Sequence, residues 1–243
     1  MTDDFKDKLQ CELKLLSIKL EENELNKFYK YFQLLVEWNK IMNLTSITKM
    51  DEVITKHFTD SLSLIKVVSD IGKKGYRIID VGTGAGFPGI PLKIVFPDLN
   101  ITLMDSLNKR ISFLNEVISS LKLKKIEAIH GRAEDLGRDS NYREKYDFSV
   151  SRAVSNLSTL SEYCMPFVKP GGYFIPYKSG KIEEELKEAK HAIFLLGGKT
   201  EHVETFLLPG TDAERSLVKI FKSNAMSKKY PRKAGVPGKD PLK

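Results

Sequence analysis

The sequence predicts an α/β fold: a seven-stranded, mostly parallel sheet with one antiparallel strand, covered by helices and preceded by a helical region. Three observations predict it. From Tyr76 onward, short apolar runs rich in β-branched residues alternate with stretches of helical period, the pattern of parallel strands whose crossovers cover both faces of a sheet. The first of these runs passes directly into a glycine-rich turn, Gly82-Thr83-Gly84-Ala85-Gly86-Phe87-Pro88-Gly89. The last two runs, Val203 to Leu208 and Ser216 to Phe221, follow each other too closely for a crossover helix and are expected to pair antiparallel.

Taken in order, residues 4–70 read as helices. Phe5, Leu9, Leu13, Leu16 and Leu20 keep steps of three and four, as do Leu25, Phe28, Phe32, Leu35 and, loosely, Trp38. Met50, Val53, Ile54, His57, Phe58, Leu62 and Ile65 form a third face, separated from the second by the polar break Asn39 to Ser46. On these faces Trp38 reads as core and His57 as a structural histidine on an apolar seam. Tyr76 to Val81 is the first strand, and Pro88 suits the first turn of the helix that follows, although Pro91 leaves its start open. Ile101 to Met104 is the second strand, closed by Asp105, and Ile111 to Leu121 the next helix. Ile126 to Ile129 and Tyr146 to Val150 are the third and fourth strands, and a helix spans Leu157 to Phe167. Pro170-Gly171-Gly172 reads as a turn before a fifth strand from Tyr173 to Tyr177. Glu183 to Leu196 is helical and stops at Gly197-Gly198. The expected organisation is a helical cap over residues 1–72, a ligand-binding core over 73–222 and a basic, proline-containing tail over 223–243.

The 243 residues carry 39 Lys and Arg against 32 Asp and Glu, a net charge of +7. Nearly all the excess lies after residue 221, where Lys222, Lys228, Lys229, Arg232, Lys233, Lys239 and Lys243 face Asp240 alone. A short basic tail is an electrostatic footprint for a polyanion, so it is expected to serve RNA rather than the cofactor. No apolar run is long enough for a membrane span, and the charged start has no secretory apolar core. Cys11 and Cys164 make no Cys-x-x-Cys, which suits reduced thiols in the cytoplasm, and no metal site is expected.

A strand followed by a glycine turn and a helix sets bare main-chain amides at the carboxyl edge of a sheet, where an anionic or nucleotide ligand is held. Asp105, 23 residues after Gly82, is placed to accept from both hydroxyls of a ribose. Gly84-x-Gly86-x-x-Gly89 formally matches a dinucleotide fingerprint, while Asp80-x-Gly82-x-Gly84-x-Gly86 resembles the first motif of class I S-adenosylmethionine methyltransferases. In that family the acid at the strand end lies near the amino acid portion of the ligand. Spacing does not separate the two readings; element order does. Five βα units followed by a strand pair give the seven-strand arrangement of those methyltransferases, whereas a nicotinamide enzyme would usually repeat a second βαβαβ half. Gly82, Phe87, Asp105, Ala133, Glu134 and Arg152 all fall at carboxyl ends of predicted strands. There Glu134 can accept from an adenine amino group while the amides of residues 133 and 134 meet ring nitrogens.

The acceptor is narrowed by what is missing. Methylation at a pyrimidine carbon needs a cysteine nucleophile near the fourth strand, and that strand gives Ser151-Arg152-Ala153-Val154-Ser155. Exocyclic-amine methylation typically carries Asn/Asp-Pro-Pro-aromatic at the same place, and that motif is absent. Guanine N7 has a free lone pair and no proton, and so needs neither base nor covalent intermediate.

Several stretches together resemble one family, the bacterial small-subunit ribosomal RNA guanine-N7 methyltransferases (RsmG, or glucose-inhibited division protein B). They are Asn39 to Ser46, Lys56-His57-Phe58-Thr59-Asp60-Ser61-Leu62, Asp80 to Pro91, Asp105 to Arg110, Arg132-Ala133-Glu134, Ser151 to Val154 and Tyr230 to Pro237. The resemblance spans nearly the whole chain. It implies methyl transfer from S-adenosylmethionine to N7 of a guanine in the 530 loop of 16S rRNA, with 16S rRNA or the small ribosomal subunit as partner and no membrane or DNA. It also implies cofactor-binding positions at Gly82, Phe87, Ala133, Glu134 and Arg152; Gly84, Gly86 and Asp105 join them from the spacing. No residue is singled out as catalytic beyond Arg152, a candidate to bind the ligand carboxylate or an RNA phosphate bidentately. Lys109, Arg110, Lys228, Lys229, Arg232 and Lys233 are the RNA-binding candidates. The rival expectations are a class I methyltransferase acting on another RNA or a small molecule, and a non-catalytic RNA- or nucleotide-binding module.

Overall fold

A computed structural model describes residues 1–73, 75–152 and 155–243. Ala153 and Val154, part of one of the motifs above, lie outside the described residues. Seven strands form one sheet: β1 (Arg77–Val81), β2 (Asn100–Asp105), β3 (Ile126–His130), β4 (Tyr146–Arg152), β5 (Val168–Ser179), β6 (Gly198–Leu207) and β7 (Glu214–Lys222), in the order β3-β2-β1-β4-β5-β7-β6. β1 to β5 pair in parallel, and β7 enters antiparallel between β5 and β6. The order reverses at β1, between β2 and β4, which opens a crevice at the carboxyl ends of these strands.

β1 and β2 are buried along nearly their whole length, and alternate residues serve opposite faces. Ile78 joins a core formed with the N-terminal helices, while its neighbour Ile79 joins the core of the other face. The first core receives α1 (Asp3–Lys14), α2 (Glu22–Met42), α5 (Gly89–Val95) and α6 (Asn108–Ser120) through residues such as Phe5, Phe28, Ile90 and Phe113. The second receives α8 (Leu157–Cys164) and α9 (Glu183–Leu195) through Leu157, Leu160, Ala189 and Ile193. Trp38 packs on Phe113, their ring centroids 5.6 Å apart. A short α7 (Ala133–Leu136) follows β3, and α10 (Val236–Lys239) lies near the C-terminus. Among the described residues no helix is long and apolar enough to cross a membrane.

Three features depart from the periodicity reading. The third N-terminal face is a composite: α3 (Met50–Val53), a π-helical segment over Ile54–Thr59, α4 (Asp60–Leu62) and a 3-10 turn over Ser63–Lys66. Pro170-Gly171-Gly172 is no turn between elements but lies inside β5. There the register jumps from Tyr146↔Val168 to Phe148↔Tyr173, and the extra residues bulge out of the ladder. Pro88 precedes α5 rather than opening it, and Pro91 sits in its first turn, where an amide would have no partner inside the helix.

The tail is docked. Tyr230 and Pro231 are buried. Arg143 on the loop after α7 donates to the carbonyls of Met226, Ser227 and Tyr230 at 3.1, 3.2 and 2.9 Å. Lys222, fully buried at the end of β7, pairs with Glu144 at 2.8 Å, and Glu144 also accepts from the Met226 amide.

Candidate cofactor and acceptor site

The glycine turn after β1 is fastened before any ligand contact is considered. The amides of Gly82 and Thr83 donate to the Met104 carbonyl at 2.9 and 3.0 Å, tying the turn to β2. Asp80, fully buried, accepts from Thr83 Oγ1 at 2.7 Å and from the Gly89 amide at 2.8 Å. One carboxylate oxygen, Oδ2, thus braces the turn, while Oδ1 is buried and makes no hydrogen bond among the described residues. Burial pushes Asp80 up to about 7 despite those two donors. Gly84 holds φ at +62°, and a Cβ built there would meet no atom within 4 Å, so this glycine faces open space. A Cβ at Gly86 would instead run into Ile90 and the Tyr31 hydroxyl.

Asp105, 2% exposed, ends β2 beside the turn. Its carboxylate accepts from the Gly84 amide at 3.0 Å, the Leu107 amide at 3.0 Å and Arg110 Nη1 at 3.1 Å. The acid thus holds the glycine turn in place and stands at the mouth of the same crevice. Arg110, proposed from sequence as an RNA contact, is engaged by this carboxylate, whereas Lys109 beside it is exposed.

Arg152, at the end of β4, reaches across to the π-helical segment. It donates through Nη1 to the Lys56 carbonyl at 2.8 Å and to Asp60 Oδ2 at 2.9 Å, and through Nη2 to His57 Nδ1 at 2.9 Å. Its guanidinium carbon lies 5.0 Å from the centroid of the Phe87 ring, on which His57 stacks at 4.3 Å. The fork that sequence offered to a carboxylate or phosphate is directed at internal acceptors. His57 Nε2 lies 2.9 Å from Thr45 Oγ1, so with Nδ1 accepting, the neutral ring donates there. Burial, then the charge of Arg152, lowers His57 to about 3. His57 is satisfied as a structural histidine should be, but it also lines the crevice, which periodicity did not disclose. The one sequence signal for it was its place in Lys56-His57-Phe58-Thr59-Asp60. A π-helical stretch spaces side chains five apart rather than four, a device frequent at functional sites.

Three cavities adjoin along this edge. A central one of ≈ 420 Å³ is lined by Gly82, Gly84, Phe87, Asp105, His57 and Arg152. A second, ≈ 350 Å³, shares Gly82 and Asp105 with it and adds Ala133, Glu134, Tyr163 and Gly235. A third, ≈ 430 Å³, shares His57 and Arg152 and adds Lys56, Asp60, Lys178 and Arg215. Every candidate cofactor residue except Gly86 lines the first two cavities; Gly86 lies within the turn itself. Glu134 is buried and accepts from the Gly235 amide at 2.8 Å, an arrangement sequence did not anticipate. Arg232 is bound to fully buried Glu162 through Nε and Nη2 and to Asp240 through Nη1, so it anchors the tail. Lys228, Lys229 and Lys233 are exposed. Cys164 is fully buried in α8, and burial raises its thiol, which removes it from nucleophilic chemistry.

Residues 24–218 match the family described as rRNA small subunit methyltransferase G. A protein named ribosomal RNA small subunit methyltransferase G from Lachnoclostridium phytofermentans is 58% identical over 230 residues, covering 95% of this chain and 94% of that one. Its namesake from Acetivibrio thermocellus is 52% identical, over 93% and 91% of the two chains. Among solved structures, M. jannaschii TYW2 in complex with AdoMet is similar in fold, with a TM-score of 0.52 and 18% identity over 67% of this chain and 76% of that one. TrmN from Thermus thermophilus gives 0.50 and 16% over 70% and 53%.

Proposed function

Because the chain belongs to the family of rRNA small subunit methyltransferase G, we propose that it transfers the methyl group of S-adenosylmethionine to N7 of a guanine in the 530 loop of 16S rRNA, in the cytoplasm and on the small ribosomal subunit or its RNA. The chain is an S-adenosylmethionine-dependent methyltransferase of ribosomal RNA. The observation that carries the finer reading is the row of three adjoining cavities, joined by Gly82 and Asp105 on one side and by His57 and Arg152 on the other.

The residues present fit the cofactor. Gly84 leaves the space a side chain would fill, and Asp105 and Glu134 supply carboxylates at one end of that space. The bound cofactor supplies an activated methyl on a sulfonium; the rest is done by the chain. Gly82, Gly84 and Asp105 hold the ligand against the turn, and Phe87 with His57 forms the wall towards the third cavity. That cavity carries Lys56, Lys178, Arg152 and Arg215 against Asp60 and Glu185; each cation has a carboxylate partner, Lys56 on Glu52, and the net positive lining suits the approach of a polyanion. Holding acceptor and donor in line is worth roughly 7–11 kcal/mol of barrier. Among the described residues lining that cavity, both ring nitrogens of His57 are occupied, Asp60 is paired with Arg152 and Arg215, and Glu185 with Lys178, which supports an acceptor that carries no proton.

The test is methyl transfer from labelled donor to small subunits or 16S rRNA lacking the modification, followed by nucleoside analysis. The expected product is 7-methylguanosine confined to the 530 loop. Label on another nucleoside, or on none, refutes the assignment.

A further inference from the structure

The tail was expected to serve RNA and leave the cofactor untouched. Its contacts also reach the crevice. Tyr230 and Pro231 are buried, and Arg232 sets its amide on Glu162 Oε1 at 2.6 Å and its side chain on both carboxylate oxygens at 2.8 to 3.1 Å. Glu162 is fully buried in α8, so this pair is a fixed anchor rather than a surface contact. Thr159, on the same helix, donates to the Pro237 carbonyl at 3.1 Å. Between these two anchors Gly235 takes φ +83° and turns its amide onto Glu134 Oε1 at 2.8 Å. Both residues line the cavity that also holds Ala133 and Asp105.

We propose that the segment Tyr230–Gly235 is a built part of the cofactor site, in which the Gly235 amide orients the Glu134 carboxylate to receive the exocyclic amino group of adenine. The proposal rests on reading this crevice as the cofactor site. A carboxylate has two oxygens and accepts only. With Oε1 held by Gly235, the group is fixed in rotation, and Oε2, which makes no hydrogen bond among the described residues, is left for a ligand N–H. Without the tail the carboxylate turns freely and opens to water, so it binds adenine less tightly and distinguishes it less from a purine with an oxo group at the same position. Gly235 is a positioning residue: it acts on the ligand through Glu134.

The experiment is a double-mutant cycle read by calorimetry with S-adenosylhomocysteine and S-inosylhomocysteine, on the full chain, on a chain lacking residues 232–243, on Glu134→Gln and on the combination. Deletion after Pro231 keeps the buried Tyr230, and Gly235→Pro in the full chain, which removes the donating amide while leaving the Arg232–Glu162 pair intact, provides a second release of Glu134 should the deletion fold poorly. The expected result is a preference for the adenosyl ligand of at least about tenfold in the full chain, most of it lost on deletion or in Gly235→Pro. Glu134→Gln should then cost about tenfold in the full chain and almost nothing once the tail is released, the non-additivity of coupled neighbours. Equal affinity and an unchanged preference after deletion, or a Glu134→Gln penalty of the same size with and without the tail, overturns the proposal. Failure of the full chain to bind either ligand refutes the cofactor reading instead.

Discussion

Asp105→Ala is the most informative single change, because its size follows from counted contacts. The carboxylate accepts from two main-chain amides, those of Gly84 and Leu107, and from Arg110. Alanine removes the acceptor proposed for the ribose and leaves the Gly84 amide without a partner. A hydrogen bond to a charged group is worth about 1.5–3 kcal/mol. Loss of the ribose contact therefore weakens cofactor binding by roughly 10- to 150-fold. The freed Gly84 amide pushes the result towards the upper end, since the turn itself loosens. Asp105→Asn, which still accepts from one amide, falls between. Arg110→Ala separates two explanations: its side chain is 34% exposed, so the pair is worth about 1 kcal/mol or less, within about fivefold. Isothermal titration of S-adenosylhomocysteine into the full chain reads all three. An Asp105→Ala affinity within twofold of the parent refutes the ribose role, and an Arg110→Ala loss equal to that of Asp105→Ala shows that the acid serves only to hold the arginine.

Two further expectations concern the wall between the cavities. Arg152→Ala leaves Asp60, 3% exposed, with Arg215 alone at 3.4 Å, and should cost about 3 kcal/mol, the lower end of the range for a broken buried pair; a urea midpoint within error of the parent contradicts it. His57 and Asp80 pull stability in opposite directions with pH. Below 6.5 the unfolded chain protonates His57 while the folded chain refuses until about 3, so this contribution is full above 6.5 and lost as pH falls. Asp80 keeps its proton in the folded chain up to about 7 against 3.8 unfolded, so its contribution is full below 3.8 and lost as pH rises. Each slope is at most about 1.4 kcal/mol per pH unit, and they offset one another between pH 4 and 6.5. In His57→Asn only the Asp80 slope survives, so the parent's advantage over the variant should grow from pH 4 to 6.5 in urea unfolding; a difference flat with pH disproves it.

What was legible in the sequence was whatever repeats with a period or sits at a fixed local spacing. β1 with its glycine turn and the acid on β2 are read from neighbours in the chain, and the order of β-branched runs carried the sheet topology through to the antiparallel β7. The bulge in β5 was not legible, because Pro170-Gly171-Gly172 has the chemistry of a turn, and only the partner strand shows that the ladder resumes beyond it. The π-helical stretch at Ile54–Thr59 was invisible for a related reason. Its apolar positions fit helical steps, and the shift appears only where His57 meets Phe87 and Arg152 meets the Lys56 carbonyl. The tail was least legible in its docking. Its charge is plain in composition, but Arg232 with Glu162 and Gly235 with Glu134 are pairings of single residues 70 and 101 positions apart, and nothing local marks them.

The bonds from Arg143 and Glu144 pin the chain at Met226 to Tyr230, only a few residues short of Gly235. So short a tether gives the Gly235 amide a local concentration at Glu134 in the millimolar range or above. A free peptide carrying residues 230–243 must be supplied at about that level to restore a truncated chain. Any solute that displaces the strap has to outcompete the same figure.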